Sequence, residues 1–221
     1  MSKTRVAILF SGRGTNLQAL IDAAASDDFP AEITLALSNR PDAEGLTRAR
    51  DAGVTTRVID HKAFGKGEAA RAAFEAPLQE ALDAAKVDFI CLAGFMRVFT
   101  SDFTRAWRGR MINMHPSLLP AFRGVSVHER TIESGAKIAG CTVHFVSSEV
   151  DAGPIIGQAA LAVRPADTPE TLAARILELE HRLYPTCLRL LAEGKARLGA
   201  NDRVTFDASL ATDEVIVTPM A

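Results

Sequence analysis

The sequence predicts a single doubly wound α/β domain, and two observations carry that prediction. In its first half, apolar runs rich in β-branched side chains alternate with Ala-, Leu- and Arg-rich stretches, the order that builds right-handed βαβ crossovers and a parallel sheet. Those runs are also continuously apolar, as strands covered by helices on both faces must be.

The elements follow in order. Residues 5–10 (RVAILF), 33–37 (ITLAL), 56–59 and 87–93 (VDFICLA) read as strands. Between them, 16–25, 43–52 and 68–85 carry helix-forming residues, punctuated by Gly45 and Gly53. Residues 110–114 form a short strand before a proline-rich loop (HPSLLPAFRG), and a helix covers 127–134. Two further β-rich runs, 139–147 and 155–163, are joined by SEVDAGP, which is short enough for a hairpin-like connection. The mostly parallel sheet therefore gains antiparallel strands in the C-terminal half. A long helix spans 169–193, and beyond Gly194 short apolar runs between Asp, Asn and Pro read as small strands on the sheet edge. Repeats, low-complexity tracts and linkers are absent from the sequence, so residues 1–221 are expected to form one Rossmann-like domain.

Composition restricts the setting. The chain carries 25 Lys+Arg against 27 Asp+Glu, a formal charge of −2, with 48% hydrophobic residues. That balance gives no electrostatic footprint for nucleic acid, so anionic partners are expected to be small and gripped locally. No apolar run approaches the ~20 residues that span a bilayer. The run at 6–10 is also too short for a signal-peptide core, and a glycine loop follows it. Cys91, Cys141 and Cys187 lie far apart in apolar surroundings and read as buried free thiols rather than metal ligands. A cytoplasmic protein with no metal and no membrane partner is expected.

Three motifs carry chemistry. Ser11-Gly12-Arg13-Gly14-Thr15-Asn16 follows the first strand and opens a helix, where glycines permit close backbone approach and free N–H groups attract anions. It departs from the dinucleotide fingerprint at Leu17, and Ser38-Asn39-Arg40 stands where the ribose-binding acid is expected. A monophosphate loop is the favoured reading, beside a plain tight turn capped by Thr15 or Asn16. Asn113-Met114-His115-Pro116 lies at the C-terminal end of a strand, where open α/β sheets bind ligands. Alternation puts Asn113 and His115 on one face, an amide donor beside an imidazole that could stabilise an oxyanion and shuttle a proton. His144, in Thr142–Val146 (TVHFV), reads equally as a satisfied core histidine or a site residue. Asp151, in a Gly/Pro loop, is by default a turn residue; if its loop folds toward His115, its carboxylate favours the imidazolium. Together these imply acyl-type transfer without a metal or a protein nucleophile.

SGRGTNLQ, AGFMR (93–97), INMHPSLLP (112–120), TVHFV, DAGPII (151–156) and LEHRLYP (179–185) stand in this order along the chain. In them the sequence resembles the folate-dependent formyltransferases, and within that family the branch that formylates glycinamide ribonucleotide. The resemblance runs from about Val6 to Gly194. It implies transfer of the formyl group of 10-formyltetrahydrofolate, the co-substrate, to the amine of glycinamide ribonucleotide, in purine biosynthesis. Asn113, His115 and Asp151 fall on the family's catalytic trio. The resemblance also implies a phosphate site at Gly12, Arg13, Gly14, Thr15 and Asn16, with Pro116 along the nucleotide and Glu180 on its ribose. Met96, Arg97, Val98 and Phe99, together with Val146 and Asp151, would enclose the folate, and His144 would support the site. Residues 1–100 would then be the nucleotide-phosphate half, 101–194 the catalytic and folate half, and 195–221 a short C-terminal extension. Arg13 and Thr15 in the loop, and Ala121-Phe122-Arg123 after Pro120, depart from the family pattern.

Two other readings share the scaffold. A 10-formyltetrahydrofolate hydrolase would use the same trio with water as acceptor, and a noncatalytic sensor would bind nucleotide alone. With the first strand read from Arg5, the hydrolase's N-terminal domain is not expected. The tail also lacks the basic patch of a tRNA-directed relative. A monomer or homodimer is expected.

Overall fold

The first strand, β1 (Thr4–Phe10), sets the layering. In the computed structural model, which describes residues 2–207, Val6, Ile8 and Phe10 enter one hydrophobic core while Ala7 and Leu9 enter a second. This is the two-residue period of a strand buried on both faces. The first core is closed by α1 (Thr15–Ala24), α2 (Gly45–Asp51) and α6 (Pro169–Ala192), and the second by α3 (Glu68–Ala84) and α4 (Ser101–Ala106). The remaining strands of the sheet are β2 (Ala31–Ser38), β3 (Thr56–Val58), β4 (Phe89–Leu92), β5 (Met111–His115), β6 (Ile138–Phe145) and β7 (Ile155–Ala162). Their order is β3-β2-β1-β4-β5-β6-β7, parallel through β5 and antiparallel from β6 onward. The expected fold class is therefore observed. The order reverses between β1 and β4, so the crevice for a ligand opens above the carboxyl ends of these strands.

Details depart from the sequence expectation where tertiary contacts outweigh local propensity. The strand expected at 110–114 runs one residue further, through His115. The second helix opens at Gly45 rather than 43, because Gly45 N–H donates to the Gly12 carbonyl and its Cα packs on Gly14. Helix α1 is capped by Gly14 in the left-handed region (φ 73°), not by a Thr15 or Asn16 side chain. Helix α4 and a 3-10 turn at His61–Phe64 carried no periodic signal, being six and four residues long. After α5 (Val127–Glu133) and α6, the tail strands β8 (Ala196–Leu198) and β9 (Val204–Phe206) pair with each other as a separate two-stranded sheet instead of joining the edge of the main one. A turn closed by Gly199 N–H to the Arg203 carbonyl at 2.8 Å satisfies their backbone locally. Residues 208–221 of the expected extension lie outside the described residues.

Helix α6 ties the layers together. Thr168 caps it reciprocally with Thr171, and Pro169 occupies the first turn, where a missing N–H costs nothing. Tyr184, fully buried, donates its hydroxyl to the Leu92 carbonyl at 2.9 Å and lies 3.3 Å from the Ile112 carbonyl, pinning the ends of β4 and β5. Among the described residues the three cysteines are free and buried, and no helix is long and apolar enough to cross a membrane.

Candidate active site

The antiparallel pairing of β5 with β6 sets Asn113 directly opposite His144. Cross-strand neighbours at such a position are within reach of each other's side chains, and Asn113 Nδ2 lies 3.3 Å from His144 Nε2. His144 Nδ1 is 2.9 Å from the Phe145 carbonyl, which can only accept, so Nδ1 carries the hydrogen and Nε2 presents a lone pair to the Asn113 amide. Burial pushes the His144 pKa down, which keeps the ring neutral and that tautomer in place. One Asn113 N–H is thus fixed by His144, and the amide's other hydrogen is left for the cleft.

His115, two residues along the same strand, is engaged on both sides of its ring. Nε2 lies 3.0 Å from the Phe122 carbonyl, and Nδ1 lies 3.3 Å from Asp151 Oδ2. Both neighbours are acceptors, so the doubly protonated ring is the state in which both contacts are hydrogen bonds. Asp151 Oδ2 also accepts from the Gly124 N–H at 2.9 Å. Its loop brings the carboxylate back over β5, an approach that sequence spacing left open. The Asp151 Oδ1 to His144 Nε2 separation of 3.7 Å pairs a carboxylate with the lone pair of a neutral ring and is no hydrogen bond.

These groups face a cleft of about 800 Å³ lined by Asn113, His115, Pro116, His144, Val146, Asp151 and Glu180. Met96, Arg97, Val98 and Phe99 line the same cleft, as does Asn16. Gly12, Arg13, Gly14 and Thr15 do not; Thr15 borders a smaller cavity of about 490 Å³ between α1 and α6. Asn16 is the one member of the glycine loop that reaches the cleft, where its Nδ2 donates to Glu180 Oε2 at 2.6 Å. Burial pushes the Glu180 pKa up, and the Asn16 hydrogen bond partly offsets this.

Buried side-chain atoms without a hydrogen-bond partner mark where a ligand belongs, because leaving them unpaired is costly. Among the described residues there are four: Asn16 Oδ1, Arg97 Nε, His128 Nε2 and His181 Nε2. The first three, an acceptor, a donor and an imidazole nitrogen, belong to residues that line the large cleft. Its rim is apolar and open, with Met96, Val98, Val125 and Val150 all exposed. Such a mixture suits a planar heterocycle with a polar edge. No group of three or more His, Cys, Asp or Glu among the described residues is placed to hold a metal ion.

Three contributors were given no site role from sequence. The Ser11 hydroxyl donates to Asn39 Oδ1 at 2.6 Å and accepts from the Met96 N–H at 2.8 Å, joining the β1 and β4 loops. Glu75 on α3, buried, accepts from Thr100 N–H and Oγ1–H, each at 2.6 Å, and so anchors the 96–100 wall from below. His128 enters from α5. The Ser11 glycine motif offered a partial signal; Glu75 and His128 sit in helical stretches that read as ordinary polar positions.

Comparison with known proteins adds an independent line. A family model described as formyl transferase matches residues 4–188. The trifunctional purine biosynthetic protein adenosine-3 of Bos taurus is 47% identical over 204 residues, which are 92% of this chain but 20% of that protein. The chain thus spans about a fifth of the length of that relative. The phosphoribosylglycinamide formyltransferase of Haemophilus influenzae is 41% identical over 197 residues, 89% of this chain and 91% of its own. The crystal structure of glycinamide ribonucleotide transformylase 1 from Symbiobacterium toebii superposes with a TM-score of 0.87 at 46% identity, covering 92% of this chain and 94% of that one.

Proposed function

The chain belongs to the formyl transferase family, and on that premise we propose that it transfers a formyl group from 10-formyltetrahydrofolate to the amino group of glycinamide ribonucleotide. The observation that carries the reading is the meeting of Asn113, His115 and Asp151 in one cleft, three of whose lining residues, Asn16, Arg97 and His128, each keep a buried polar atom without a partner. The unpaired Arg97 Nε and the apolar residues Met96, Val98, Phe99 and Val146 suit a folate ring, so this wall is the folate side. Glu180 is the acceptor for ribose hydroxyls, Pro116 lies along the nucleotide, and the Gly12–Asn16 loop holds the phosphate. The proposed halves interlock rather than separate, since the folate wall at 96–99 precedes residue 100 and Glu180 follows it.

In the reaction the substrate amine attacks the formyl carbon, a C–N bond forms, and the carbonyl electrons move to oxygen. Attack needs the neutral amine, and an α-amino group has a pKa of about 8, so near-neutral pH suffices. The free N–H of Asn113 donates to the oxyanion. His115, protonated and held by Asp151, supplies positive charge beside it. Collapse breaks the bond to the folate nitrogen, which takes the electron pair and a proton. The protonated His115 aids delivery of that proton. The amine gives up its own proton to water ordered by Asp151. Three buried thiols suit a reducing cytoplasm.

The test is to incubate the protein with 10-formyltetrahydrofolate, with and without glycinamide ribonucleotide, and to follow folate release. Release only with the nucleotide is expected; release without it would indicate hydrolysis, and none would indicate a sensor. Asn113→Ala should lower kcat by about 100- to 1,000-fold, the range for losing an oxyanion donor.

A further inference from the structure

Both partners of the His115–Asp151 pair are held from the same short backbone segment. The Phe122 carbonyl accepts from His115 Nε2, and the Gly124 N–H donates to Asp151 Oδ2. Residues 122–124 therefore form a strap across the pair, which touches both ends of it without using a side chain. Backbone in such a loop has no ladder to hold it, and here it is strained as well: Phe122 sits at φ 54° and Ser126 at φ 52°, in the left-handed region that L side chains avoid. Something outside the segment has to keep it there.

Ser117 does so on one side, its hydroxyl donating to the Ala121 carbonyl at 2.7 Å, and Arg130, on α5, does so on the other. Its Nη1 donates to the Arg123 carbonyl at 2.6 Å and to the Val125 carbonyl at 3.3 Å, and its guanidinium lies 5.7 Å from the centre of the Phe122 ring. One planar cation thus grips the carbonyls on either side of Gly124 and covers the side chain of Phe122. A second tie, Arg123 Nη1 to Glu149 Oε1 at 2.7 Å, fastens the strap to the loop that carries Asp151. Neither arginine lines the cleft.

We infer that Arg130 is a positioning residue for catalysis: by fixing the 122–125 backbone it holds the His115 ring and the Asp151 carboxylate in register. This rests on the catalytic roles proposed above. It differs from a role in substrate binding, because Arg130 reaches the pair only through main-chain atoms. It also differs from a role in general stability, because the side chain is exposed and contributes to neither hydrophobic core.

The experiment compares Arg130→Ala and Arg130→Lys with the unaltered protein in the formyl-transfer assay. Arg130→Ala should lower kcat by roughly 5- to 30-fold while the KM for each substrate changes less than about twofold and the melting temperature holds. Arg130→Lys, which keeps the charge but not the planar guanidinium over Phe122, should fall between them. An activity-independent readout is the backbone amide resonance of Gly124, which should shift on Arg130→Ala and stay in place in Arg105→Ala, a surface control. If the unaltered protein transfers formyl groups and Arg130→Ala matches it or exceeds it in kcat, the inference is overturned while the function stands. It is equally overturned if the Gly124 resonance is unmoved. If the unaltered protein transfers nothing, the proposed function fails, and the Gly124 measurement still decides whether Arg130 holds the strap.

Discussion

Replacing Asp151 by Asn isolates one charge in an otherwise unchanged shape. The carboxylate is 11% exposed, and its Oδ2 faces His115 Nδ1 at 3.3 Å and the Gly124 N–H at 2.9 Å. In Asp151→Asn the amide oxygen can remain at the Oδ2 position, so the Gly124 N–H keeps its acceptor and the loop keeps its anchor. What goes is the negative charge. At 3.3 Å a carboxylate and a protonated imidazole attract by about 5 kcal/mol for an effective dielectric constant of about 20. Exchange of water contacts leaves about 1.5–3 kcal/mol of that as the net worth of a charged hydrogen bond. At 1.36 kcal/mol per decade, kcat should fall by about 10- to 150-fold. The assay is steady-state formyl transfer at saturating substrates, with thermal melting run in parallel. Asp102→Asn, which removes an exposed carboxylate remote from the His115–Asp151 pair, should cost far less. A kcat for Asp151→Asn within twofold of the unaltered protein, at an unchanged melting temperature, would refute the assignment of Asp151 to the charge of His115.

Gly14→Ala should destabilise the fold, because Gly14 has φ 73° and an added Cβ would lie 2.7 Å from the Gly45 Cα, a backbone atom with no room to give. Left-handed strain of about 1–2 kcal/mol plus overpacking of about 1–3 kcal/mol should lower the melting temperature by roughly 5–15 °C. Gly53→Ala, at the same φ of 73° but facing open space, should show the strain alone, and equal effects at the two sites would contradict the packing account. Glu180→Gln should raise stability near neutral pH and weaken nucleotide binding together. Burial raises the Glu180 pKa above its unfolded value, so the folded protein holds that proton to higher pH than the unfolded chain. Its stabilising contribution is full below the unfolded pKa and is lost as pH rises through the folded one. Urea melts across pH 4–8 should therefore show a weaker decline for Glu180→Gln, and the KM for nucleotide should rise about tenfold or more through the lost charged acceptor. An unchanged pH dependence would show that Glu180 is not the group responsible.

Much of the layering was legible in the residues themselves. Continuous runs such as Val6–Phe10 can be stable only with apolar cover on both faces, and the alternation with Ala/Leu-rich stretches supplies that cover. The start of the long helix at Pro169 was legible too, since proline suits the first turn of a helix. The alternation of Asn113 and His115, and their place at a strand end, could likewise be read as a candidate site before any contact was known. Helix α4 and the turn at His61–Phe64 escaped because six and four residues carry too little period, and the tail strands, though expected, pair with each other rather than on the edge of the main sheet.

The geometry of the candidate site comes from tertiary contacts. Sequence chemistry singled out Asn113, His115, His144 and Asp151, the family resemblance added Glu180, and antiparallel strands were expected in this half, yet the sequence did not show the register of β6 on β5 that sets His144 against Asn113. Nor did it place Asp151 against His115, or Asn16 beside Glu180 across 164 positions of chain. It was silent on Glu75 beneath the cleft wall and on Arg130 behind the strap. Periodicity and propensity are local, reaching a turn of helix or a few residues of strand. Hydrogen bonds between distant residues form only after the cores have closed, and their geometry is fixed by the packing of whole elements. The kinds of groups in the site were therefore written along the chain, and their distances were decided by the fold.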